Sequence, residues 1–286
     1  MKTLQIREAS QSLHKVMGVI NLTPDSFSDG GLIENKDHLI NQINLFRKHK
    51  TNIFDFGAES TAPFNPSITE DEEKKRLTPL LKYLKTLEKD SLTISLDTYK
   101  PEIAHWFFTD LKWNYGIWND VSGLYDESVQ SFLARFNDHK YIYCHNNAPK
   151  RSLTSEHMDY VNDEPILVQL NNFFRKVDSL EFKNRIIIDP CFGFSKSYEQ
   201  NWAIIDSWCD LLESFSKQTV VFGVSKKSFM RKKVKEQLGD DSLDKEDSFY
   251  YSELLHYNLI NSLKRLSHCE TWIRAHDPRL VHLALA

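Results

Sequence analysis

Eight short runs rich in β-branched and aromatic residues recur along the chain, each followed by a longer stretch with apolar residues at helical spacing. The runs are Val16–Asn21, Asn52–Phe56, Leu92–Asp97, Tyr115–Asn119, Lys140–His145, Arg185–Asp189, Thr219–Gly223 and Thr271–Arg274. Strands buried on both faces read as unbroken apolar runs, as Ile186-Ile187-Ile188 and Val220-Val221-Phe222 do. Between them, Leu39, Ile43 and Phe46, then Leu77, Leu80, Leu81 and Leu84, mark amphipathic helices. Trp106–Leu111, Val129–Phe136, Leu167–Leu180, Trp202–Phe215 and Tyr250–Leu266 continue the pattern. Eight βα units predict an α/β fold whose parallel sheet closes on itself, a (β/α)8 or TIM barrel, which typically takes about 250 residues. An open doubly wound sheet is the alternative, weakened because no strand leads into a Gly-x-Gly-x-x-Gly turn. No composition shift marks a linker, so 1–286 reads as a single domain, with 1–14 as an N-terminal extension over the barrel bottom. The polar stretches Asn146–Asp163 and Asp240–Asp247 read as long βα loops.

The charge balance narrows the partners. A formal charge of −4 over 286 residues gives no footing for nucleic acid or a membrane surface. The basic run Arg231-Lys232-Lys233-Val234-Lys235 reads as a solvated helix face. Charged residues interrupt the first twenty positions, and no apolar run approaches the ~20 residues of a bilayer span. The four cysteines are far apart with no Cys-x-x-Cys pair, which fits reduced thiols and a cytoplasmic location.

The strands end in polar residues at one end: Asn21, Asp55, Asp97, Asn119, His145 and Asp189. The seventh run leads into Ser225-Lys226-Lys227-Ser228, and the eighth closes in Arg274-Ala275-His276. A single such residue is as often a turn or cap as a site. Eight at the same end converge, in a barrel, on the face where βα loops build the active site. Asp97, Asn119 and Asp189 would lie deep in the mouth and suit a flat heterocycle carrying several hydrogen-bonding groups. The cations Lys227, Arg274 and His276 come from the quarter of the barrel where phosphates are often held, with Ser228 and the following helix start as further donors. The residues alone therefore indicate a heterocycle with a phosphate tail. Cys191 near this site has no evident base to make it a nucleophile.

The segment from Met17 to Gly31, Met-Gly-Val-Ile-Asn-Leu-Thr-Pro-Asp-Ser-Phe-Ser-Asp-Gly-Gly, resembles the first-loop signature of dihydropteroate synthases. The resemblance continues through Asp55-Phe56-Gly57-Ala58-Glu59-Ser60-Thr61-Ala62-Pro63, Ser95-Leu96-Asp97-Thr98-Tyr99-Lys100-Pro101-Glu102 and Asn119-Asp120. Asp189-Pro190-Cys191-Phe192-Gly193-Phe194, Ser225-Lys226-Lys227-Ser228 and Arg274-Ala275-His276 complete it. It implies a transferase of folate biosynthesis that condenses 6-hydroxymethyl-7,8-dihydropterin pyrophosphate with p-aminobenzoate, releasing pyrophosphate. Asp97, Asn119, Asp189 and Lys227 would hold the pterin, with Asp97, Asp189 and Lys227 as the catalytic set. Asn21 would ligate Mg²⁺, while Thr61, Arg274 and His276 would face the pyrophosphate. Phe27, Thr61, Pro63, Lys227 and Ser228 would border the p-aminobenzoate pocket. The resemblance further implies a cytoplasmic homodimer, formed by the late helices, and a sulfonamide target.

The chain also departs from the family pattern. Ala62 stands at a common arginine, Cys191 and Ser195 at usual glycines, and Lys226 at a usual arginine. After the fifth strand, His145-Asn146-Asn147-Ala148-Pro149 replaces a His-Met-x-Gly form. Two other readings share the barrel: a pterin-binding paralogue with lost or changed activity, and a pterin-dependent corrinoid methyltransferase-like protein. The phosphate set of Lys227, Ser228, Arg274 and His276 counts against the latter.

Overall fold

A computed structural model describes residues 14–22, 32–61, 65–214, 218–263 and 270–286. Its strands are β1 (His14–Asn21), β2 (Ile53–Gly57), β3 (Thr93–Asp97), β4 (Ile117–Asp120), β5 (Lys140–Cys144), β6 (Ile186–Asp189), β7 (Val220–Phe222) and β8 (Thr271–Ala275). All neighbours pair in parallel and β8 closes onto β1, so the sheet is a closed eight-stranded barrel. Each expected strand is present, with ends moved by up to two residues; β1 begins at His14, inside the segment read as an extension.

The helices are α1 (Leu32–Lys48), α2 (Glu70–Leu84), α3 (Pro101–Leu111), α4 (Glu127–Arg135), α5 (Ile166–Asp178), α6 (Tyr198–Asp206), α7 (Trp208–Ser214), α8 (Ser228–Leu238), α9 (Lys245–Leu263) and α10 (Pro278–Leu285). Three readings need correction: the acidic stretch Asp240–Asp247, expected as a βα loop, joins α8 to α9 and its last residues form the first turn of α9. The single helix expected over Trp202–Phe215 is broken at Ser207, which leaves helical geometry and caps α6 through its backbone N–H. The loop expected over Asn146–Asp163 contains a 3-10 helix, Arg151–Tyr160.

Alternation along the strands separates two apolar layers. Met17, Ile53, Ile117, Ile142, Cys144, Ile187, Val221 and Trp272 fill the barrel interior. Phe54, Phe56, Leu96, Trp118, Tyr141, Tyr143, Ile188 and Phe222 face the helices, where Leu77, Leu80, Phe107, Phe132, Leu170 and Ile204 meet them. The same parity decides which polar strand-end groups reach the site. Asp55, two residues after Ile53, Asp97, Asn119, Asp189 and Arg274 all continue the inward rows. His145, one residue after inward-facing Cys144, falls on the opposite face and packs its ring against Phe173 of α5, centroids 5.3 Å apart. It therefore does not belong to the converging set.

Candidate active site

At the C-terminal mouth of the barrel lies a cavity of about 620 Å³, within the range of small-molecule sites. Asn21, Thr61, Asp97, Lys227, Ser228, Arg274 and His276 all contribute to its wall. The strand-end reading thus brought together residues from β1, the second loop, β3, the start of α8 and β8. Asn119 and Asp189 are buried at the inner ends of β4 and β6. Phe27 and Pro63 lie outside the described residues.

The floor is an ionic network centred on Asp55. Its Oδ1 accepts from the Ser95 hydroxyl at 2.6 Å and from Asn119 Nδ2 at 3.2 Å, and its Oδ2 accepts from Arg274 Nε at 2.7 Å. Arg274 reaches on to Asp97 Oδ2 at 2.5 Å. One guanidinium thus bridges two carboxylates, fixing the plane of its fork. Burial pushes the Asp97 carboxyl up to about 7; Arg274 opposes the shift and the charge of Asp55 adds to it. Two acceptors are left over: Asp97 Oδ1 and Asn119 Oδ1 are buried with no hydrogen-bond partner among the described residues. Buried acceptors of this kind are costly unless a ligand supplies donors. Asp189 accepts from the Cys191 backbone N–H at 2.6 Å, and burial raises its pKa.

Cations line the same cavity. Lys227 lies with its Nζ 4.4 Å from the centre of the Phe194 ring, and burial lowers its pKa. Gly193, at φ +80°, passes under it, where an added Cβ would sit 3.4 Å from Lys227 Cδ. His276 does not supply the cation expected of it. Burial, then the charges of Lys226, Arg274 and Lys227, hold its pKa down at about 3, and its Nδ1 lies 3.1 Å from the Ser225 hydroxyl. It is a neutral hydrogen-bonding group at ordinary pH. Arg274 is likewise a partly compensated cation, already shared between Asp55 and Asp97.

Several residues of the site carry no assignment from sequence. Asp55 is a fully buried strand-end carboxylate that does not itself line the cavity but holds Arg274, which does; its position on the inward row with Asp97 is the available signal. Arg76 from α2 and Arg231 from α8 also line the cavity, as does His157 from the 3-10 helix. No spacing rule joins these distant side chains to a strand end. Arg76 is anchored to Glu72 and to the Ala58 carbonyl. The basic run on α8 is not simply solvated: Arg231, Lys232 and Lys233 lie over Phe249, Tyr198 and Trp202. The second loop is held from behind by Glu59, which accepts from Lys100 Nζ at 2.5 Å and from the Tyr99 hydroxyl at 2.9 Å.

Residues 17–249 match the family described as pterin binding enzyme. The chain belongs to this family, among the dihydropteroate synthases. It is 33% identical over 218 residues to a dihydropteroate synthase of Streptococcus pyogenes, covering 74% of this chain and 75% of that one. It is 34% identical over 227 residues to the mitochondrial folate synthesis bifunctional protein of Pisum sativum, covering 75% of this chain but only 43% of the plant protein. The chain therefore spans less than half of that two-activity relative. Among solved structures, the Clostridium difficile dihydropteroate synthase in the presence of pteroic acid superposes with a TM-score of 0.74 at 27% identity, covering 95% and 94% of the two chains. The Xanthomonas albilineans enzyme with 4-aminobenzoic acid gives 0.73 at 25% identity, covering 95% and 90%. Among the described residues no helix is long and apolar enough to cross a membrane.

Proposed function

We propose that the chain condenses 6-hydroxymethyl-7,8-dihydropterin pyrophosphate with p-aminobenzoate to give 7,8-dihydropteroate and pyrophosphate. The observation that carries this reading is the pair of buried acceptors without a partner among the described residues, Asp97 Oδ1 and Asn119 Oδ1, near the cations that line the barrel mouth. A pterin ring offers the N–H donors that those acceptors lack. Asn119, Asp189 and Lys227 complete its surroundings, and Arg274 is held rigidly at the wall by its two carboxylates.

The bond between the exocyclic methylene carbon and the pyrophosphate oxygen breaks, its electron pair leaving with pyrophosphate. The positive charge left on the methylene spreads into the ring, where Asp97 and Asp189 offset it. Lys227 and Arg274 offset the charge gathering on the leaving group, in a cavity whose dipoles are already oriented. The p-aminobenzoate nitrogen then forms the C–N bond and releases a proton. Such a weak nucleophile needs alignment more than a strong base. Thr61 and Ser228, which line the cavity, would border the p-aminobenzoate together with Phe27 and Pro63, as the family resemblance implies. Thr61 and neutral His276 would serve the pyrophosphate as hydrogen-bonding groups.

Asn21, exposed at the cavity wall, suits Mg²⁺ as a hard oxygen donor, because this ion commonly takes few protein ligands and completes its shell with phosphate oxygens and water. When bound it would supply Lewis-acid stabilisation of the leaving group. We also place the protein in the cytoplasm, as free Cys144, Cys191 and Cys209 favour, and regard the p-aminobenzoate pocket as open to sulfonamides. Tyr250, Tyr251 and Leu254, at helical spacing on α9, are exposed, and this apolar strip supports a homodimer, which sedimentation equilibrium would check.

The deciding experiment supplies the pterin pyrophosphate, Mg²⁺ and p-aminobenzoate and follows dihydropteroate and pyrophosphate. Both products should appear in equal amounts. Binding of the pterin pyrophosphate without either product would leave a pterin-binding protein and end the synthase reading.

A further inference from the structure

Two of the departures noted in the sequence, at Asn146 and at Ser195, turn out to touch each other. Ser195 follows Phe194 in the loop after β6 and sits at φ +48°, a region where a side chain is strained and glycine is at ease. Its hydroxyl is 2.7 Å from Asn146 Oδ1 and 2.9 Å from the His157 carbonyl, and it accepts from the Asn147 backbone N–H at 3.1 Å. Asn146 in turn donates from Nδ2 to the Val121 carbonyl at 2.7 Å, and its Oδ1 also accepts from the Ala148 N–H. Gly123 makes room for it: at φ +74°, an added Cβ there would lie 2.2 Å from the Asn146 carbonyl oxygen. A residue tolerated at a strained backbone position normally repays the strain through specific contacts. Ser195 repays it by joining the loops that follow β4, β5 and β6.

The second half of the device is His157. The Ser195 backbone N–H donates to His157 Nδ1 at 3.2 Å, which makes Nδ1 the acceptor and leaves the proton on Nε2. Its imidazole is fully buried and lies against Phe194, with centroids 4.2 Å apart and planes inclined at 33°. Phe194 carries Lys227 on its ring at 4.4 Å. A continuous stack thus runs from Ser195 through His157 and Phe194 to a cation of the active site. His157 Nε2 has no hydrogen-bond partner among the described residues, and the residue itself lines the cavity.

We propose that Ser195 and His157 are positioning residues that fix the Phe194–Lys227 wall against which the pterin is held. This rests on the synthase reading for the identity of the ligand, but not for the existence of the wall. Ser195→Gly is the informative variant, since glycine relieves the positive φ while deleting the hydroxyl. A residue important only for folding would show up in thermal stability. A positioning residue shows up in ligand affinity.

The test measures the Kd of 6-hydroxymethyl-7,8-dihydropterin pyrophosphate by calorimetry and amide exchange at Phe194, whose N–H donates to the Cys191 carbonyl at 3.1 Å. In Ser195→Gly the melting temperature should be unchanged or higher, the Kd should rise about fivefold, equivalent to one hydrogen bond, and the Phe194 amide should exchange faster. His157→Phe, which keeps a ring on Phe194 but loses the acceptor, should raise the Kd to a similar degree and add little to Ser195→Gly. His157→Gln, which retains an acceptor, should recover part of the affinity. A Kd within twofold of the parent in Ser195→Gly would overturn the proposal. Should the parent bind no pterin pyrophosphate, the synthase reading falls and the exchange arm decides alone: unchanged exchange at Phe194 overturns the wall, and faster exchange sustains it.

Discussion

Asp55 shows how much a single inward carboxylate does in this site. It accepts from Ser95, Asn119 and Arg274 at once, so it orients a ring-facing amide and a wall cation together. Removing its charge leaves Arg274 with only Asp97 to hold it, and leaves the Asn119 amide free to turn. Asp55→Asn is therefore expected to fold yet lose kcat/KM by roughly a hundredfold, as removal of preorganised electrostatics commonly does. A loss below tenfold would show that Asp97 alone suffices to place Arg274. Asp97 gives a prediction in pH. Its carboxyl is raised to about 7, chiefly by burial, so the ionised form that best accepts from a ring N–H and offsets positive charge is gained as pH rises through that value. The pH profile of kcat/KM should climb through about 7. Asp97→Asn should be slow at every pH and lack this limb. A parent profile flat from pH 6 to 8 would exclude Asp97 as the titrating group.

The elements were legible where physics is local. Apolar runs bounded by polar ends gave all eight strands, and the 3.6-residue period gave Leu77, Leu80, Leu81 and Leu84 as the buried face of α2. The break at Ser207 was not legible, because apolar spacing continues across it from Trp202 to Leu212. The 3-10 helix Arg151–Tyr160 was hidden for another reason. It is held by long-range contacts: Arg151 pairs with buried Asp120 and with Asp126 and donates to the Tyr99 carbonyl at 3.0 Å, while Ser195 bonds to His157. His157 rides on that helix, so its place in the wall was beyond any pattern of spacing. Helix ends offer a cleaner prediction. Lys112 caps α3 at φ +59°, donating its N–H to the Phe108 carbonyl, where glycine is the usual residue. Lys112→Gly should stabilise the fold by about 1 kcal/mol, raising the melting temperature by about 2 °C with unchanged kcat and KM. A lower melting temperature would mean that the lysine side chain contributes more than its backbone strain costs.

At the scale of the whole barrel, burial holds several histidines neutral, and this couples folding to acid. His139 lies at the N-terminal end of β5, 4.8 Å from the Phe108 ring and 4.9 Å from that of Phe136. Burial lowers its pKa to about 4, against smaller upward pulls from Asp138 and Asp90. Because the folded pKa lies below the unfolded value near 6.5, the stability tied to the neutral ring is fully present above about pH 6.5. It is lost as pH falls toward 4, where the unfolded chain takes up a proton that the folded chain refuses. Raised carboxyls such as those of Asp97, Asp120 and Asp189 act in the opposite sense, so the pH curve of the parent protein mixes both signs. A substitution isolates the histidine term. His139→Phe keeps an aromatic ring among Phe108, Phe132 and Phe136 and removes the titrating group. Compared with the parent by urea unfolding, the variant should gain about 2 kcal/mol of relative stability between pH 7 and pH 5, at 1.36 kcal/mol per pH unit below the unfolded pKa. Parallel curves for the two proteins would show that the His139 ring reaches water and a proton without unfolding. The pH dependence would then belong to His157 and His276, whose neutral rings lie at the mouth of the barrel beside Phe194 and Ser225.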